Sequence, residues 1–306
     1  MKRIKLIYGL IALGFIAIAI IFFCGRSKAP EARTLRFWHF QCEPEHSKAI
    51  RALADEFEKK YNCKVELTEL TWADGKTKLA VAFNSNTAPD VLELGSDWVA
   101  QFSSSGVLAA LNNDSVGLAK FVDFSLPPTQ WKGKTYCLPW FVDTRVLFYN
   151  KALMKRAGLG DVPPKTMSEL LDYSQRISDL GDAYGWGANG ADKHRLYKKV
   201  LHFIWTYGGD ILDANLSPVV NSPANARAFE MYLQLAHSGM METQRELDVA
   251  FVQGKIGFWI TGSWMLPKLE KEGAGLDFGV ALMPGLDGSG KPGLSFAGGE
   301  YLAVND

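Results

Sequence analysis

Short apolar runs alternate with helical patterns along most of this chain, and this alternation constrains the fold more than any other feature of the sequence. In the first third, the predicted elements are a strand over 35–40, a helix over 46–60, a strand from 65, a helix over 76–83 and a strand over 91–94. The order β-α-β-α-β predicts a parallel sheet with crossover helices, which is an α/β lobe.

The middle of the chain starts the same pattern again. Thr166 and Glu169 have the spacing of a helical capping box, and Ser222 followed by Pro223 predicts another helix start. The other predicted elements are a turn over 131–134, one long strand over 136–149, an aromatic-rich helix over 196–207 and strands over 256–260 and 278–283. A second α/β lobe is therefore expected.

The composition narrows the function. The 306 residues suffice for two domains, and 33 basic residues balance 33 acidic ones, so no broad basic surface is predicted to bind nucleic acid. The aromatic content is 12%, with nine Trp. Such rings fill large cores, and they are also platforms on which the apolar face of a sugar ring stacks.

The N-terminus indicates export. Basic residues among the first five precede an apolar run that ends at Cys24. This pattern is typical of a secretory signal or a membrane anchor. Cys24 suggests a lipoprotein signal, but Phe22 and Phe23 stand where that pattern has a small residue. A lipoprotein and an uncleaved anchor therefore stay as alternatives.

No cofactor or metal is predicted. In a parallel βαβ unit Cys42 and Cys63 lie at opposite edges of the sheet, about 15–20 Å apart, so no disulfide is expected between them. The Cys and His residues have no zinc-site spacing. Residues 185–190 match a dinucleotide fingerprint, but no buried strand is predicted before them.

Six short segments follow one another along the chain: Phe37-Trp-His39, Ala88-Pro-Asp-Val91, Gly133-Lys-x-Tyr136-x-Leu-Pro139, Tyr149-Asn-Lys151, Gly254-x-x-Gly257-Phe-Trp-Ile-x-Gly262-x-Trp264 and Gly298-Gly-Glu300. In this order they resemble the bacterial extracellular solute-binding proteins of the sugar-binding, maltose-type family. The resemblance covers residues 35–306. It implies a two-lobe periplasmic-binding-protein fold with a hinged cleft between the lobes.

The resemblance also implies the domain organisation. Residues 1–34 would be signal or anchor and linker, 35–143 with 284–306 the N-lobe, and 144–283 the C-lobe, with chain crossings near 143–148 and 278–283. The family continues with C-terminal helices, whereas this sequence stops at Asp306 in an extended segment. Those helices are expected to be missing here.

Position by position, the resemblance assigns residues to the cleft. Asp97 matches a sugar-contacting acid, Asp143 an acidic hinge residue and Trp264 a stacking Trp. The full set is Trp38, Phe40, Glu43, Trp72, Ser96, Asp97, Asp143, Arg145, Trp205, Trp264, Gly298, Gly299 and Glu300. Core packing for each Trp, and capping or ion pairing for each acid, are the competing interpretations.

The function that follows is the substrate-binding component of an ABC transporter. A monomer tethered to the cell envelope by an anchor or a lipid would capture a sugar or oligosaccharide by hinge closure and deliver it to the permease, without catalysis and without nucleic acid. A glycosidase and a ligand-sensing subunit of a signalling system are the alternatives. A glycosidase needs two carboxyls about 5 to 9.5 Å apart, one of them protonated near neutral pH.

Overall fold

The computed structural model describes residues 33–112, 117–192, 195–273 and 275–306. The chain divides into two compact units: the residues up to Glu93 together with Ala303–Asp306, and Leu94–Leu302. Both contain strands and helices, so the α/β class is confirmed. The lobe boundaries inferred from the resemblance stay a prediction.

The first unit is a parallel βαβαβ structure, as the sequence predicted. It contains β1 (Thr34–His39), α1 (Pro44–Tyr61), β2 (Lys64–Glu69), α2 (Gly75–Asn84) and most of β3 (Val91–Gly95). Strand β1 lies between β2 and β3 and runs parallel to both. Because the strands are parallel, their carboxyl ends meet at one edge of the sheet, where ligands bind in open α/β sheets.

The second unit is larger. Its helices are α3 (Val99–Ser104), α4 (Lys151–Arg156), α5 (Met167–Ser178), α6 (Leu196–Thr206), α7 (Pro223–His237), α8 (Gln244–Val252) and α9 (Met265–Glu272). Its strands are β4 (Gln130–Trp131), β5 (Lys134–Thr135), β6 (Cys137–Thr144), β7 (Val146–Asn150), β8 (Tyr184–Asn189), β9 (Met240–Glu242), β10 (Ile256–Thr261), β11 (Phe278–Ala281) and most of β12 (Ala297–Val304).

A five-stranded sheet of order β11-β7-β10-β8-β9 organises this unit. Successive residues of a strand point to opposite faces, and here both faces are covered. Leu147 and Ile260 contribute to a core with α4 to α7, whereas Phe148 and Trp259 contribute to a core with α8 and α9. Their side chains are at most 1% exposed. The packing on both faces therefore fixes the positions of the residues at the ends of these strands.

Two helix starts that the sequence predicted are confirmed. Thr166 accepts a hydrogen bond from the N–H of Glu169 at 3.2 Å, and the Glu169 carboxylate accepts one from the N–H of Thr166 at 3.3 Å, which completes the capping box of α5. The Ser222 side chain caps α7 by accepting a hydrogen bond from the N–H of Asn225, with Pro223 in the first turn. These signals are readable from sequence because all their parts are local.

The long strand predicted over 136–149 is wrong. The segment forms two strands, β6 and β7, which lie in different sheets and are separated by Arg145 alone. Strand β6 neighbours β12, whereas β7 pairs with β10 and β11. Both halves are extended and rich in apolar residues, so the local pattern predicted strand correctly but could not indicate which partners each half would choose.

The predicted export signal and Cys24 lie outside the described residues. No helix in the described ranges combines the length and the apolar character needed to cross a bilayer. Cys42 is exposed, Cys63 is partly buried, and both are free thiols. Residues 185–189 of the segment that matched the dinucleotide fingerprint lie within strand β8, and Gly190 follows it.

Candidate functional site

The second unit contains a buried ion pair at the point where β6 ends and β7 begins. The Arg145 side chain is 7% exposed, and its Nη1 donates a hydrogen bond to Oδ1 of Asp143. The Arg145 carbonyl in turn accepts a hydrogen bond from the Ser295 hydroxyl. Burying a guanidinium is costly unless it is paired, so the carboxylate of Asp143 is the partner that permits this placement.

Aromatic rings surround the guanidinium of Arg145. Its Cζ lies 4.5 Å from the ring centroid of Trp264 and 5.9 Å from that of Phe296. Contacts of this kind between a cation and an aromatic face are favourable, and more so when water is excluded. The buried Nε of Arg145 has no hydrogen-bond partner within the described residues. A buried donor without a partner is costly, and it is one that a polar ligand could satisfy.

Phe296 is the ring that links the parts of this site. It is 7% exposed, it stacks on Trp205 with centroids 6.4 Å apart, and it meets the edge of Tyr197 at 6.2 Å. The amino group of Lys198 lies 5.6 Å from its centroid. Phe296 was part of a motif in the sequence but was not assigned to the site, so the structure adds it.

Lys198 brings the predicted acid Asp97 into the same cluster. Its Nζ lies 3.9 Å from Oδ1 of Asp97. Burial lowers the pKa of Lys198, while the charges of Asp97, Asp143 and Glu300 act in the opposite direction. Burial and the negative charge of Asp97 together raise the pKa of Tyr197. The cluster thus contains both positive and negative side chains, which can donate and accept hydrogen bonds.

Close backbone approach explains the predicted glycines. The N–H of Ser96 donates to the carbonyl of Gly299 at 2.9 Å. A Cβ on Gly298 would lie 2.7 Å from the Phe296 ring, and one on Gly299 would lie 2.0 Å from the carbonyl oxygen of Phe141. Both positions therefore have a packing reason to be glycine, whether or not they contact a ligand.

The first unit holds the other four predicted residues, at or near the carboxyl end of β1. Phe40 stacks on Trp72 with centroids 4.2 Å apart. Oε2 of Glu93 accepts a hydrogen bond from the N–H of Phe40 at 2.8 Å, and burial raises the pKa of this carboxyl. Glu43 is exposed at the start of α1. Trp38 lines a separate hollow of about 480 Å³ beside α2.

Tyr197, Lys198 and Phe296 belong to the second unit's cluster but were not predicted from the sequence. The same holds for Asp248, whose Oδ2 accepts a hydrogen bond from Nε1 of Trp264 at 3.2 Å. Lys198 and its neighbour Lys199 interrupt an aromatic and apolar helix pattern, which is the signal that could have marked them. Asp248 has no such local signal, because the surrounding segment reads as an ordinary amphipathic helix. Within the described part of the chain, no three His, Cys, Asp or Glu side chains are grouped to hold a metal ion.

Polar and aromatic side chains at the ends of strands in an α/β fold are typical of proteins that bind small polar molecules. The family model for bacterial extracellular solute-binding proteins matches residues 43–306 of this chain. The chain belongs to that family.

Individual relatives and solved structures are consistent with this family. The galactooligosaccharide-binding protein of Bacillus subtilis is 26% identical over 298 residues, which are 90% of this chain and 66% of that protein. An ABC transporter solute-binding protein of Thermotoga lettingae, bound to α-D-tagatose, is 28% identical with a TM-score of 0.79, covering 90% of this chain and 73% of that one. The GacH receptor of Streptomyces glaucescens, solved with acarbose, is 27% identical with a TM-score of 0.76, covering 90% and 71%. This chain spans about half the length of some curated relatives, 52% for a binding protein of Brucella abortus.

Proposed function

We propose that this protein is the substrate-binding component of an ABC transporter and that its ligand is a sugar or an oligosaccharide. The observation that carries the proposal is the buried Arg145–Asp143 pair against the ring of Trp264, in a member of the solute-binding family. The relatives that are named or solved with galactooligosaccharide, tagatose and acarbose support the same ligand class.

The chemistry of the cluster fits this ligand. Carboxylates such as Asp143 and Asp97 accept hydrogen bonds from hydroxyls, the free Nε of Arg145 donates one, and aromatic rings contact the C–H face of a sugar. A buried hydroxyl that lacks a partner costs about 1–3 kcal/mol, so the arrangement of donors and acceptors selects among sugars. Capture by hinge closure between the lobes inferred from the resemblance is part of the proposal.

The proposal includes binding without catalysis and docking on the permease subunits of a transporter. It also includes tethering to the outer side of the cell membrane through residues 1–34, either as an anchor or by a lipid on Cys24. The family's extracellular character supports that location.

A thermal-shift screen over a sugar library tests the proposal. A ligand that binds only the folded protein raises Tm, so at least one sugar should raise it in a concentration-dependent way. Trp264→Ala and Asp143→Ala should each abolish that shift. Asp182→Ala, at an exposed ion pair with Arg156, is the matched control and should respond like the parent.

Two outcomes would contradict the proposal. If no sugar raises Tm, the ligand class is wrong, and if both site variants respond like the parent, the site is misplaced. Incubating the hit with the protein and analysing it by chromatography separates binding from catalysis, since the proposal expects the sugar to be recovered unchanged.

A further inference from the structure

Behind the candidate site of the second unit, a single buried carboxylate accepts hydrogen bonds from two indoles. Asp248 lies on α8 and is 6% exposed. Its Oδ1 accepts from Nε1 of Trp259 at 3.0 Å and from Nε2 of Gln244 at 2.8 Å, and its Oδ2 accepts from Nε1 of Trp264 at 3.2 Å. Both oxygens are therefore occupied by side-chain donors, two of which are Trp rings.

The negative charge of Asp248 also acts on a buried lysine, Lys199: it raises the pKa of the amino group, against the larger lowering that burial causes. Lys199 is 2% exposed on α6, its Nζ donates to the carbonyl of Ile260, and it lies 4.4 Å from the ring centroid of Trp259. Buried ionisable groups are a poor source of stability compared with apolar packing, because each charge must be desolvated. The arrangement is more readily explained by the geometry that it imposes on the rings.

The contacts continue from Asp248 to the surface of the site. Asp248 accepts a hydrogen bond from Nε1 of Trp264, and the Trp264 ring lies against the guanidinium of Arg145. Arg145 in turn donates a hydrogen bond to Asp143. The Trp264 ring also lies directly against the backbone of Gly262, where a Cβ would come within 2.0 Å of it. Rotation of the ring is thus limited by close packing on the backbone and by the hydrogen bond at its nitrogen.

We propose that Asp248 is a positioning residue of the site: it fixes the orientation of the Trp264 indole and, through it, the Arg145–Asp143 pair that meets the ligand. Asp248 itself does not contact the ligand. The inference rests on the proposed function for its effect on affinity, whereas its effect on the indole is independent of any ligand.

The test uses Asp248→Asn, which keeps the size of the side chain but replaces one acceptor oxygen by an amide donor. The carboxylate accepts from four side chains, those of Gln244, Trp259, Thr261 and Trp264. In the unliganded protein labelled with ¹⁵N at Trp, the Nε1–H signal of Trp264 should move and exchange faster with solvent. With the sugar found in the screen, Kd should rise about tenfold, because the hydrogen bond that orients the Trp264 ring towards the ligand is lost. Asp172→Asn, an exposed acid on α5, should change neither quantity.

A double-mutant cycle with Trp264→Phe separates positioning from a general structural role. Phe keeps an aromatic ring but has no Nε1–H, so Trp264→Phe alone should also weaken binding about tenfold, and adding Asp248→Asn should weaken it little further.

Additive effects in the cycle, or an unchanged Trp264 signal in Asp248→Asn, would overturn the proposal. If Asp248→Asn does not fold, unchanged affinity in Trp264→Phe overturns it. If the parent binds no sugar, the proposed function fails, and the labelled indole still decides the role of Asp248.

Discussion

The main-chain N–H of Phe296 donates a hydrogen bond to Nδ1 of His202 at 3.2 Å. His202 is fully buried on α6, beside Lys199, and burial together with the charges of Lys199 and Arg145 lowers its pKa to about 3. The acceptor nitrogen must be unprotonated, so the ring that links the parts of the candidate site is held by a neutral imidazole.

Stability should therefore fall as the solution is acidified. The pKa of His202 is lower in the folded state than the ordinary value of 6.5, so between these values the unfolded chain binds a proton that the folded protein does not. The contribution of neutral His202 to the free energy of unfolding is complete above about pH 6.5 and is lost as the pH falls towards 3. This residue alone should reduce the free energy of unfolding by about 3 kcal/mol between pH 7 and 4.

The variant His202→Asn isolates that contribution. Its Oδ1 can accept the hydrogen bond of Phe296 but does not titrate in this range. Urea unfolding at pH 7, 5.5 and 4 should show a clearly shallower pH dependence for the variant than for the parent. Equal slopes would mean that other groups cause the acid sensitivity.

Arg145→Lys should weaken ligand binding although the charge is kept. A lysine ammonium lacks the planar donor fork that reaches Asp143 while lying over Trp264, and it lacks the Nε that is free for a ligand. We expect Kd to rise at least about tenfold, measured by titration calorimetry. Arg176→Lys, at an exposed pair with Asp172, is the control and should leave Kd unchanged.

Gly262→Ala should disturb the site through packing alone. The added methyl would lie 2.0 Å from Cζ3 of Trp264, so the indole must move. Overpacking of this kind costs about 1–3 kcal/mol, and the displaced ring should also lose affinity for the ligand. The check is Tm together with Trp fluorescence, with Ser263→Ala, an exposed neighbour, as control. A normal emission spectrum in Gly262→Ala would show that the contact is not tight.

Thr166→Ala should destabilise the second unit by about 1 kcal/mol, because it removes the side-chain acceptor of the capping box. Glu169→Gln keeps a side-chain acceptor for the N–H of Thr166 and should cost less. Urea denaturation of the two variants, compared with the parent, measures both values. A larger loss for Glu169→Gln would indicate that its charge near the helix start matters more than the hydrogen bond.

The parts of the fold that the sequence predicted are those whose signals are local. The capping box at Thr166 and the βαβαβ order of the first unit need only neighbouring residues and the spacing of apolar side chains. The break at Arg145 could not be predicted, because strand partners come from segments more than a hundred residues further along the chain, such as β10 and β12. Local propensity does not contain that information.

Some residues of the candidate site could likewise be proposed before the structure was known, and others could not. Asp143, Arg145 and Trp264 were proposed from family resemblance, and the structure brings these three into contact. Asp248 was missed because its partners are indoles eleven and sixteen residues away, brought close only by the packing of α8 on β10. A Lys on the buried face of a helix, as at position 199, is the kind of local violation that often marks such a network.

Arg145 is the single residue between β6 and β7. Because the backbone of Arg145 is the whole connection between two strands of different sheets, any change in the angle between those strands is a change in the torsions of Arg145 or its immediate neighbours. Such a change would move the Arg145 guanidinium relative to the indole of Trp264, which it contacts. Because the indole absorbs ultraviolet light, ultraviolet spectroscopy of the unmodified protein should detect a change in the angle between β6 and β7.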